Sequence, residues 1–105
     1  MNELDKHIYD LKEDKKVLQS LERLMTNSDF KRVILNDFLV KHPLSLVMSK
    51  GRLNLEDETK HNIERQLDCI ALFKMYLDTR VSEIADIDMK IIEAETLRDE
   101  QTRNT

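Results

Sequence analysis

The chain has 105 residues, of which 36% are charged and 5% aromatic, with a single glycine, a single proline and a net charge of −4. So few turn formers exclude a sheet protein, which needs a turn about every eight to twelve residues, and one glycine excludes a Gly-rich phosphate loop. The charge is unevenly divided: residues 27–53 carry five Lys/Arg against two Asp/Glu, and residues 54–105 carry seven against thirteen.

The composition is that of an all-α protein. We expect one helical domain over residues 1–105, built as an antiparallel hairpin of an N-terminal helix and a long C-terminal helix, with two short helices between them. The first helix is expected over residues 1–26. Leu4, Leu11, Leu18 and Met25 fall seven apart, and Ile8 and Leu21 widen the row. Asp14 and Lys15 interrupt it where an apolar residue would continue the stripe. Lys6 with Asp10 and Glu13 with Lys16 are spaced for exposed ion pairs along one helix.

Residues 27–53 are expected to form a head of two short helices. Asn27 or Ser28 can cap the first, and Asp29 suits the positive end of its dipole. Phe30, Val33, Ile34 and Phe38 make one apolar face at helical spacing, with Lys31 and Arg32 directed away from it. His42-Pro43 is expected to end this helix, since proline disfavours helical geometry in the residue before it. A second short helix then carries Leu44, Leu46, Val47 and Met48, and Gly51 fits a left-handed position after its end. Leu53 and Leu55 bracket the next start.

The long helix is expected over residues 54–98, about 60–68 Å at 1.5 Å per residue, with Asn54 as its N-cap and Glu56, Asp57 and Glu58 in its first turn. Ile63, Ile70, Leu77, Ile84 and Ile91 recur every seventh residue. Lys74, Arg80 and Asp88 interrupt the flanking rows, which suits a hairpin or bundle better than a clean two-stranded coiled coil. Residues 99–105 are expected to fray.

Few residues offer chemistry. Glu58 and His61 form one Glu-x-x-His pair, half of a carboxylate di-metal motif, with no second copy. Cys69, in mid-helix beside Ile70, reads as a small buried or half-buried apolar residue. We therefore expect no enzyme, catalytic residue, metal or cofactor. With charged first residues no signal peptide is expected, and no apolar run approaches the ~18 residues of a membrane span. A lone cysteine fits a reducing cytoplasm. The basic middle leaves a DNA-binding regulator as one alternative, against which the acidic C-terminal half argues. With a thin core for its length, the hairpin is expected to bury its remaining apolar surface on another copy.

Residues 21–39 carry a further pattern: Leu21 and Leu24, then Asn27-x-Asp29-Phe30-Lys31, then Val33, Ile34, Leu35 and Phe38. It resembles small helical proteins encoded by tailed bacteriophages near their head genes, in which a short variable helix and a long acidic helix follow. The resemblance implies a non-enzymatic virion or capsid-assembly protein, present in the host cytoplasm and then in the virion, with phage head or portal subunits as partners. Asp29, Phe30, Lys31, Arg32 and Phe38, together with Ile70, Leu77 and Ile84 of the long stripe, are the candidate protein-contact residues. A small phage-encoded inhibitor of a host protein, such as a defence nuclease, is the alternative.

Overall fold

The computed structural model describes residues 2–52 and 54–104. Expectations that touch Met1, Leu53 and Thr105 lie outside the described residues. Among them the chain is all-α, with no strand: α1 (Glu3–Thr26), α2 (Ser28–Phe30), a π-helix π1 (Lys31–Lys41), α3 (His42–Lys50), α4 (Asp57–Ile84) and α5 (Ile87–Arg103). They form two compact units, one of Met1–Arg23 with Thr79–Thr105 and one of Leu24–Asp78.

In the first unit, α1 runs antiparallel to the end of α4 and to α5. Asn2 caps α1 by accepting the Asp5 N–H at 2.7 Å. Leu18, 1% exposed, packs with Ile87 and Ile91, and Leu11 and Ile84 close around them. The antiparallel direction shows in the ion pairs. Asp5 lies by Arg98 (3.9 Å), Lys15 by Asp88 (2.6 Å), and Asp14 takes both terminal nitrogens of Arg80 (2.5 and 3.2 Å). Arg80 also reaches Glu83 at 2.5 Å. Asp14 and Lys15, which interrupt the first stripe, are thus the partners of Arg80 and Asp88, which interrupt the second. Lys16 pairs with Glu13 along α1 at 2.9 Å.

The uninterrupted long helix expected over residues 54–98 is corrected at Ala85-Asp86. There the Asp86 N–H turns back to the Glu83 carbonyl (3.1 Å), and the Asp86 carbonyl receives the Lys90 N–H (3.1 Å). Aspartate favours such local turns over helix interiors. The break brings Ile87 into the core beside Ile91, and Ile84 is left half-buried. The helix runs to Arg103, with the Asn104 N–H closing on the Glu100 carbonyl at 3.1 Å.

In the second unit, α2, π1 and α3 follow one another without a gap and lie antiparallel to α4. Asn27 caps the start by accepting the Phe30 N–H at 2.9 Å. The helix does not end at His42-Pro43: His42 keeps helical angles (φ −64°, ψ −49°), and its N–H bonds five residues back to Asp37. The register returns from i→i+5 to i→i+4 where Pro43 has no N–H to leave unpaired, so the proline is accommodated at the change of winding. The wide turns also alter which residues face inward. Phe30, Ile34, Leu35, Phe38 and Leu39 are half-buried, whereas Val33, expected on that face, is 57% exposed.

The turn into α4 exchanges two expected roles. Gly51 has a right-handed backbone (φ −77°), and Asn54 takes the left-handed one (φ 67°) in place of capping the helix. Asparagine is among the few side chains that visit this region readily. The cap position falls to Glu56, whose carbonyl receives the Lys60 N–H at 3.0 Å. Asp57 and Glu58 still occupy the first turn.

Two predictions follow from this geometry, both read by urea denaturation. Arg80→Ala leaves Asp14 and Glu83 without their shared, mostly covered cation and costs about 1–3 kcal/mol, whereas Lys15→Ala removes an exposed pair and costs less than about 1 kcal/mol. Equal losses would refute the register role of Arg80. Gly51→Ala places a methyl in ordinary contact with the Met48 carbonyl, 3.6 Å away, and stabilises by about 0.5 kcal/mol. Asn54→Ala destabilises by about 1 kcal/mol.

Candidate protein-contact site

The candidate contact residues separate into three environments. Asp29, Lys31 and Arg32 are exposed at the start of the α2–π1–α3 helix. Phe30 and Phe38 are half-buried on its inner side. Phe38 meets the Phe73 ring of α4 edge-on at 5.9 Å and stacks on His42 at 6.2 Å, so its area is spent within the chain. Ile70 and Leu77, each 6% exposed, are interior residues, and Ile84 packs against the Leu18–Ile87–Ile91 cluster. A side chain that is already covered has no area left for a partner, so the structure assigns these three to the chain's own core.

The basic middle is partly neutralised. Lys50 binds Glu64 of α4 at 2.9 Å. That hydrogen bond holds the Glu64 carboxyl below its ordinary range. A depressed carboxylate adds stability above its unfolded pKa and loses it as the pH falls through the folded value, so this tie between α3 and α4 opens in acid. Lys31, Arg32 and Lys41 enter no ion pair among the described residues.

Cys69 is exposed, which corrects its expected burial. It lies one residue before Ile70, about 100° round the helix from the inward row. It borders a shallow 340 Å³ pocket between Phe38 and His42 on one side and Asn62 and Gln66 on the other. Among the described residues no group of three or more His, Cys, Asp or Glu is gathered as metal ligands, and Glu58 and His61 stand exposed on the first turns of α4. No helix is long and apolar enough to cross a membrane.

What the sequence reading missed is a second set of apolar rows. Val40, Leu44 and Met48 on the α2–π1–α3 helix, and Leu72, Met75 and Tyr76 on α4, are 57–69% exposed. The signal was present in the spacing. Leu72, Met75 and Tyr76 stand three and four apart on a line offset from Ile70 and Leu77, but the seven-residue row drew the eye away from them. Set against known protein families, curated proteins and solved structures, the chain matches none.

Leu77→Asp buries a carboxylate and costs about 3–5 kcal/mol in urea denaturation, whereas Lys31→Ala and Arg32→Ala leave the midpoint unchanged. A Leu77→Asp midpoint equal to that of the parent chain would show that the row is not interior.

Proposed function

We propose that this chain is a non-enzymatic bacteriophage structural or head-assembly protein, acting in multiple copies through helix-mediated protein–protein contacts. The observation that carries the interaction role is the pair of exposed apolar rows on helices whose opposite sides are already packed. Exposed apolar surface arranged in rows marks association sites. The phage setting rests on the resemblance of residues 21–39, whose Asn27 caps a helix and whose Ile34, Leu35 and Phe38 line its inner side. These residues support a stable platform, and the contacts fall to the exposed side of the same helix. The partners under this reading are head or portal subunits, met in the host cytoplasm and retained in the particle.

The deciding measurement is quantitative mass spectrometry of purified virions and of assembly intermediates. The chain is expected in many copies in at least one of them, and its absence from both would overturn the proposal.

A further inference from the structure

The multi-copy reading above leaves open which surfaces meet, and the second unit carries two that match. On the α2–π1–α3 helix the half-buried residues come in successive turns, Ile34-Leu35, Phe38-Leu39, His42-Pro43 and Leu46. Midway between these turns, on the side away from α4, stand Lys41, Leu44 and Met48, all exposed. On α4 the inward row is Ile63, Leu67, Ile70 and Leu77. Between its members, on the side away from the α2–π1–α3 helix, stand Asp68, Leu72 and Tyr76, also exposed, whereas Arg65 borders the pocket it shares with Phe38 and His42.

From charge to last apolar member the two faces span eight residues (41–48) and nine (68–76). Each carries one charge followed by two large apolar side chains, and the charges are opposite: Lys41 on one, Asp68 on the other. Laid side by side in the same N-to-C direction, Lys41 meets Asp68, Leu44 meets Leu72 and Met48 meets Tyr76. In the reverse direction charges would face apolar groups. Neither Lys41 nor Asp68 has an ion-pair partner among the described residues. The two faces are on opposite sides of the unit, so one chain cannot bring its own pair together.

We infer that a second copy of this chain is the occupant: the outer face of α4 in one copy docks, parallel, on the outer face of the α2–π1–α3 helix in the next. Because the two faces differ, the contact is heterologous. It leaves one face of each kind free at the ends, so association proceeds past the dimer to a ring or an open chain. A single helix-on-helix contact buries less than the ~1,200 Å² of a standard interface. Copies therefore hold one another weakly, and assembly appears at protein concentrations of about 0.1–1 mM or when a scaffold gathers them.

Sedimentation velocity over a concentration series tests this, with circular dichroism confirming that each variant keeps its helices. The parent chain is expected to show species larger than a dimer, weakened by salt. Lys41→Glu alone and Asp68→Lys alone each raise the concentration of half-association about threefold to tenfold. The two single variants mixed, or the double variant, restore association, since Glu at 41 then faces Lys at 68. A chain that stays monomeric at 1 mM, single variants that associate like the parent, or a double variant no better than the singles would overturn the inference. A monomeric chain still found in virions would mean that another protein covers these faces. That outcome overturns the inference and leaves the head-assembly reading standing.

Discussion

Arg80 reaches across from α4 to Asp14 on α1 and holds Glu83 in the same grip, and the alignment of the first unit turns on that contact. Apolar rows that repeat every seven residues cannot fix their own register, because a slip of seven returns apolar residues to apolar positions. Here Leu11 and Leu18 would exchange places against Ile84 and Ile91 at little cost. The charges break the degeneracy. A slip of seven in one direction takes Arg80 from Asp14 to Leu21, Asp88 from Lys15 to Glu22 and Arg98 from Asp5 to Lys12. The last two meetings are between like charges. A slip the other way sets Arg80 against His7 and Asp88 against Ile8. The net stabilisation by these exposed and half-exposed pairs is small, yet their discrimination between registers is large, which is the use of polar interruptions in helical packing that the physics best supports.

The second unit solves a different problem. The run from Ser28 to Lys50 sets its inward residues a strict four apart, Ile34-Leu35, Phe38-Leu39, His42-Pro43 and Leu46, a spacing that drifts about 40° per turn round an α-helix. Wider turns bring both members of each pair toward α4 and rotate Val33 outward. The winding tightens again at Pro43, the one residue with no N–H to misplace. Local propensity and tertiary packing thus act at the same point.

Much of this was legible from spacing alone. The all-α class, a cap at Asn27 or Ser28 and the interior row of Ile63, Ile70, Leu77 and Ile91 all follow from short-range pattern, because burial of a helix face repeats with the helix. The pairing of Asp14 with Arg80 was not legible, since it joins residues 66 positions apart and each looked only like a defect in its own stripe. The exchange between Gly51 and Asn54 escaped for another reason. Glycine permits a left-handed backbone without requiring it, and asparagine accepts one. The break at Ala85-Asp86 hid beneath an unbroken heptad, because a single tightened turn shifts the row too little to disturb a count of sevens.

Three of the candidate contact residues fell on the core row by the same habit of reading. A strong apolar periodicity identifies the residues a helix buries first, and in a chain that folds back on itself those are consumed internally. Ile70, Leu77 and Ile84 illustrate it, since each is a better core residue for being on the main row. The residues left for another molecule are the weaker, offset rows that alternate with charge. Leu44 and Met48 beside Lys41, and Leu72 and Tyr76 beside Asp68, are of that kind. Their mixed character keeps a single copy from presenting one continuous apolar patch, and the opposite charges of Lys41 and Asp68 supply a direction that apolar contact alone would lack. In a small helical protein with a thin core, surface of this composition is better suited to repeated weak contacts than to one tight site, and that is the physical ground for reading it as an assembly component.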